Sequence, residues 1–209
     1  MQRSVVSVIS AVFVLSACDA PAPSKDGQSS RAQISFIDDP QLKQHSNVTL
    51  DAKTRAAFED FKAEPNAHGA FYVPQDGRSW GWHRNTATAA DAKKTAKVTC
   101  EFFAKRTCIL YATWEGGPTD ALDALPAQYK ERLGKALREN RLGNDLALAV
   151  SPIGSYGWSW NYGFDAEAKA SALKQCDESV DKQRPSFDPP QREAYEQNGV
   201  FDCRIQLFF

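Results

Sequence analysis

The sequence predicts an α+β fold: two tandem helix-strand-strand-helix-strand repeats, antiparallel sheet or sheets covered by helices, and one disulfide in each repeat. Three observations predict it. Ser79-Trp80-Gly81-Trp82 recurs as Ser155-Tyr156-Gly157-Trp158 at an offset of 76. At the same offset Ala92, Lys93, Ala96 and Cys100-Glu101 match Ala168, Lys169, Ala172 and Cys176-Asp177. Four of the five cysteines fall into two pairs placed alike, Cys100 with Cys108 and Cys176 with Cys203.

Each element follows from local chemistry. A helical pattern opens each copy, over residues 50–62 in the first and 125–140 in the second. A strand over residues 70–73 then meets Pro74-Gln75-Asp76-Gly77, whose Pro and Asp-Gly suit turn dihedrals. The matching stretch, 150–154, lies at an offset of 77, so one loop residue differs. Residues 80–83 form the returning strand of a hairpin. A helix over about residues 89–100 follows, with Thr88 as its N-cap, and Asp165 is the corresponding cap. Ala92, Ala96 and Cys100 recur every fourth residue and share a helix face, as do Ala168, Ala172 and Cys176. Closing strands run over 108–112 and from Cys203 to the chain end.

Each cysteine pair thus joins the end of a helix to the start of the next strand. The loops enclose 7 and 26 intervening residues. Chain entropy gives these links about 2.6 and 3.6 kcal/mol. Four cysteines allow three pairings, and a four-cysteine metal site is the competing use. No two cysteines are separated by only two residues, which favours disulfides.

Residues 1–47 read differently. Arg3 is followed by an apolar run over residues 5–15, shorter than the ~20 residues a membrane-spanning helix needs. Leu15-Ser16-Ala17-Cys18 then resembles the lipobox of bacterial lipoproteins. That resemblance implies a signal peptide over 1–17, cleavage before Cys18, a diacylglycerol thioether on Cys18 and an acyl (palmitate-type) chain on the new amino terminus. Multiple acyl chains hold a protein at a membrane where one alone does not. Asp19 resembles the inner-membrane retention signal of enterobacterial lipoproteins, which slightly favours that membrane over the outer one. Residues 18–47, Pro/Ser/Gly-rich at first, read as a tether, with 34–37 able to dock as a short strand. The repeats then occupy 48–115 and 120–209.

Without residues 1–17 the chain has lost one positive charge, Arg3, leaving 24 Lys+Arg against 26 Asp+Glu, a net of −2. No single-sign field recruits nucleic acid.

The aromatic strands admit two uses. Trp80 and Trp82 share one strand face, and Tyr156, Trp158, Trp160 and Tyr162 share another. Exposed, they would stack on sugar rings or a peptide. Packed under the alanine helices, they would form the core, the use favoured here. The opposite faces carry Ser79, Gly81 and His83, and Ser155, Gly157, Ser159 and Asn161, which suit water. Trp160 and Tyr162 extend beyond the matched stretch toward the surface. The candidate binding residues are therefore His83, Ser159, Trp160, Asn161 and Tyr162.

No catalytic signature or cofactor motif is present. His45 falls in the tether and His68 just before a strand. His83 ends the Trp strand with Ser159 as its counterpart, so symmetry gives it no shared catalytic role. Asp120, Asp123, Glu131 and Glu139 suit a solvated helix face.

The repeat pattern resembles a bacterial family catalogued as domain of unknown function 4189. The resemblance rests on Phe71-Tyr72-Val73, Trp80-Gly81-Trp82, Ala92, Ala96, Cys100 and Cys108, and on Leu148-Ala149-Val150, Tyr156-Gly157-Trp158, Ala168, Ala172, Cys176 and Cys203. The second copy departs in an insertion over 177–202, read as a long loop. The family implies the fold and no reaction. The expected role is a lipid-anchored, periplasm-facing module that binds an envelope protein or peptidoglycan without catalysis. The alternatives are a periplasmic hydrolase and a structural or stress accessory lipoprotein.

Overall fold

The computed structural model describes residues 36–37, 39–65, 67–115, 125–126, 145–162 and 164–208. The chain divides into two units, Met1–Arg31 and Ala32–Phe209, and all of these residues belong to the second. The signal peptide, Cys18 and most of the expected helix over 125–140 lie outside the described residues.

The fold is α+β with two antiparallel sheets and two disulfides. Its strands are β1 (Phe36–Ile37), β2 (Gln41–Gln44), β3 (His68–Pro74), β4 (Gly81–Arg84), β5 (Cys108–Glu115), β6 (Leu125–Pro126), β7 (Asp145–Val150), β8 (Tyr156–Tyr162) and β9 (Arg204–Phe208). The described helices are α1 (Ala52–Ala63), α2 (Ala89–Ala104), α3 (Asp165–Gln183) and α4 (Pro189–Gln197), with a 3-10 turn at Arg184–Ser186. The first sheet has the order β2-β5-β3-β4 and the second β8-β7-β9. The expected short strand near residue 36 exists, paired in parallel with β6, so residues 125–126 are strand where a helix start was expected.

Caps explain where the helices begin. Asp51 accepts from the Thr54 N–H at 2.8 Å and opens α1, and that bond holds its carboxyl below the ordinary carboxylate value. Thr88 caps α2 as expected, accepting from the Asp91 N–H at 3.1 Å. The cap of α3 is Phe164, not Asp165, which instead sits in the first turn with Glu167, where the helix dipole favours carboxylates.

The faces of the sheets are reversed from expectation. The aromatic face of the first sheet does not lie under the alanine helix. Phe71 and Val73 meet Phe58 and Phe61 of α1, with Trp80 and Trp82 packed at the margin of that core. The Trp114 indole N–H donates to the Phe61 carbonyl at 3.0 Å. The alanine helix α2 instead covers the small face, where Ala70, Ala92 and Ala96 cluster. A Cβ on Gly81 would collide with the backbone of Ala96 and Cys100, so β4 and α2 touch backbone to backbone. The second sheet repeats this: Ala147 and Ala149 pack on Ala168, Ala172 and Cys176. A Cβ on Gly157 would meet the Ala172 carbonyl and the Cys176 N–H. Ser155 and Ser159 are buried there, although water was expected on that face. The reason is size. Only a face of Gly, Ala and Ser admits a helix this closely, while bulky aromatics need the wider spacing over Phe58 and Phe61.

Two segments expected outside the core belong to it. Residues 41–44, assigned to the tether, pair with β5 as β2. Residues 177–202, expected as a loop, are mostly helix, completing α3 and forming α4. Tyr195, Val200 and Phe201 from this segment join Val180, Ile153 and Val98 of α2 in one core cluster.

Candidate functional site

The clearest concave site lies between β4 and α2. It is a cleft of about 360 Å³ lined by Ser79, Trp80, Gly81, Trp82, Thr99 and Phe103. That volume falls within the ~300–1,000 Å³ of small-ligand sites. Successive residues of an extended chain point to opposite faces. A wall made of four successive residues, 79–82, therefore means that the cleft follows the outer edge of β4 and not one face of the sheet. Thr99 and Phe103, one helical turn apart on α2, form the opposite wall.

The walls are unequal in chemistry. Trp80 is half-buried, whereas Phe103 is 55% exposed. Phe102 meets Phe103 edge to face at 5.0 Å and carries the Lys105 ammonium 4.0 Å from its ring centroid. Arg84 lies 4.9 Å over Trp82 and pairs with Glu64. Thr99 has little hydrogen-bonding capacity left. Its hydroxyl donates to the Thr95 carbonyl at 2.8 Å, and Tyr195 meets it at 2.7 Å. Since that one hydrogen is committed, the Tyr195 hydroxyl must be the donor.

The residues predicted as binding positions do not gather here. His83 bonds with the Ile153 backbone, and its Nε2 is sealed from solvent with no partner among the described residues. Burial pushes its pKa down to about 4, so the ring is neutral at ordinary pH. Ser159 is buried under α3, its hydroxyl without a partner among the described residues. A ligand reaches neither of these polar atoms, which corrects the expectation of solvent-facing positions. Trp160 is partly exposed, and the side chains of Asn161 and Tyr162 lie outside the description. The cysteines pair as expected, Cys100 with Cys108 and Cys176 with Cys203, with Cα atoms 6.2 and 6.0 Å apart.

Sequence reasoning missed a polar cluster on the first sheet. His45 Nε2 lies 2.7 Å from Thr113 Oγ1, whose hydroxyl donates to Glu115 at 2.8 Å. Lys43 and Lys93 approach the same carboxylate at 3.9 and 3.8 Å. Thr113 is 1% exposed and its proton points to Glu115, so the cluster of five ties β2, through Lys43, and α2, through Lys93, to β5, and Thr113 presents no nucleophile. The signal was invisible because His45 and Thr113 are 68 residues apart. A second, polar cleft of about 380 Å³ borders this end. Its Gln44 and Arg55 are occupied by the carbonyls of Ser46 and Leu50.

Among the described residues no group of three or more His, Cys, Asp or Glu side chains is placed to hold a metal, and no helix is long and apolar enough to cross a membrane. No family model, curated protein or solved structure matches the chain.

Proposed function

We propose that the chain is a lipid-anchored cell-envelope protein acting as a non-catalytic binding module for an envelope protein or cell-wall component. One observation carries this: an apolar cleft walled by Trp80 and a half-exposed Phe103, held open between a strand edge and a helix. The lipobox-like Leu15-Ser16-Ala17-Cys18 supports the anchor and Asp19 the inner membrane. The hydrolase alternative is less well supported, because its best candidate base, His83, has its Nε2 sealed from solvent.

The two halves also read as tandem copies related to the domain of unknown function 4189. Support comes from the order β4-β3-β5 beside β8-β7-β9 and from Gly81 and Gly157 in matching contact with α2 and α3.

A photo-crosslinking amino acid placed at position 103 in growing cells tests the binding reading. The expected result is a discrete adduct absent when the same group replaces Phe164, which is 69% exposed. Purified sacculi provide the second arm. No adduct, together with retention no greater than that of a control lipoprotein, would overturn the reading.

A further inference from the structure

The cleft's shape and chemistry narrow the ligand, on the premise that the binding reading above holds. We propose that it takes a short extended peptide of a partner protein, laid along residues 79–82, with an apolar anchor between Trp80 and Phe103 and an acidic flank. Four features point there.

First, the cleft follows a strand edge. β4 pairs with β3 through Gly81 to Arg84, and Ser79 and Trp80 have no backbone partner among the described residues. An added strand supplies alternating N–H and C=O groups to such an edge, which a sugar cannot. Second, the lining is too apolar for a glycan. Thr99 is committed to Thr95 and Tyr195, which leaves Ser79 and the indole N–H groups of Trp80 and Trp82 as the side-chain polar groups of the lining, too few to replace the water that buried sugar hydroxyls would lose. Third, charge is uncompensated around the cleft. Arg84 and Arg106 are paired with Glu64 and Asp76, whereas Arg78 and Lys105 have no carboxylate partner among the described residues. Those two cations complement an acidic flank. Fourth, the site is short. Its strand wall is four successive residues, 79–82, which matches about four extended residues of a ligand, or ~13 Å.

Panning a random 12-residue phage-displayed library on the purified full chain, with both disulfides intact, tests this. Enriched sequences would be synthesised and measured by fluorescence anisotropy. The expected consensus is an aromatic or aliphatic residue beside Asp or Glu. Affinity should fall at least ~10-fold in Phe103→Asp and ~3- to 10-fold in Arg78→Glu, the latter effect shrinking at high salt. Amide signals of Ser79 and Trp80 should shift on titration. Phe103 is half-exposed, so Phe103→Asp keeps the fold; Phe103→Ser, checked by its melting temperature, is the second variant. Peptides that bind Phe103→Asp as tightly as the parent overturn the proposal. So does binding of a β-1,4-linked N-acetylglucosamine tetramer that Phe103→Asp abolishes while no peptide is enriched; that result leaves the broader binding reading standing. Self-association lost in Phe103→Asp, seen by sedimentation equilibrium, would identify a second copy as the occupant and overturn it too. If no probe binds the parent, no adduct forms at position 103 and sacculi retain no more than a control lipoprotein, both readings fall.

Discussion

The two sheets place their strands alike but close differently. In both, a glycine-bearing strand lies at one edge and presses against a helix that is bonded by a disulfide to the next strand. The first link is short, with a sequence separation of 8, and α2 passes almost directly into β5. The second has a separation of 27, and the added chain folds into the end of α3 and into α4. That addition packs outward onto α2. Tyr195 meets Thr99 and Lys94 donates to the Gly199 carbonyl at 2.9 Å, and just beyond the added chain Arg204 of β9 pairs with Asp91 at 2.6 Å. Thr95 donates to the Pro152 carbonyl at 2.9 Å within the same interface. The difference teaches that the halves are joined by the insertion of one and the helix of the other. The cleft lies beside that joint, because Thr99 serves both.

The largest expected effect tests the shared geometry. Gly81→Val and Gly157→Val each place branched carbon against a helix backbone that cannot rotate away, as a flexible side chain would. Each should destabilise by at least about 3–4 kcal/mol, at the severe end of overpacking. Urea denaturation of both variants would show it. A tolerated Gly157→Val beside a ruinous Gly81→Val would break the comparison.

Next come the disulfides, where the halves should differ. Removing the Cys176–Cys203 link as a double alanine variant should cost about 3.6 kcal/mol, against about 2.6 for Cys100–Cys108, on loop length alone. Urea midpoints under matched conditions measure both. The reverse order would mean that the short link restrains α2 in ways loop entropy ignores, since Cys100 also lies against Gly81.

Much of this geometry was legible in the sequence. The hairpins, α1, α2 and both disulfide pairings follow from turn residues, caps and the spacing of Ala92, Ala96 and Cys100. The choice of face was not legible. Alternation assigns Gly81 and Trp82 to opposite sides but does not say which side a helix takes. Polarity pointed Ser155 and Ser159 toward water, whereas close packing needs small residues and recruits serine with glycine and alanine. The candidate cleft was half visible. Trp80 and Trp82 were noticed, but Phe103 matters only because α2 lies beside that edge. The insertion looked like a loop because of Pro185, Pro189 and Pro190. Yet Pro189 and Pro190 stand in the first turn of α4, where no N–H is needed, behind Asp188, which accepts from the Gln191 N–H at 2.8 Å.

A pH effect should separate the halves more finely. His83 and Ser159 hold matching places on their edge strands, but only His83 titrates. Its folded pKa, about 4, lies below the ordinary 6.5 because burial disfavours the charged ring, against smaller opposing effects of the Ile153 bond and Asp91. The unfolded chain therefore binds a proton that the folded one refuses between these values. Stability from this site is full above about pH 6.5 and declines as pH falls toward 4, by up to about 3 kcal/mol. His83→Gln should flatten that part of the stability-pH curve. Ser159→Ala should leave its shape unchanged. A parent curve that stays flat between pH 6.5 and 4 would show that the ring gains water when protonated.

The smallest effect probes the joint itself. Tyr195→Phe removes a hydroxyl that donates to Thr99 and accepts from Gln191 at 3.1 Å, while its ring stays between Phe187 and Phe201. Thr99 keeps its bond to the Thr95 carbonyl, and the Gln191 amide, which loses its acceptor, is exposed enough to turn to water, so the cost should be about 1 kcal/mol. Thr99→Val removes the same bond from the other side and also breaks the tie to Thr95. A double-mutant cycle by urea denaturation isolates the shared term. Coupling near 1 kcal/mol would show that the insertion grips α2 through this pair. Coupling near zero would place the grip on Val98, Tyr195 and Phe201 as apolar packing, with the hydroxyls serving only to avoid an unsatisfied group.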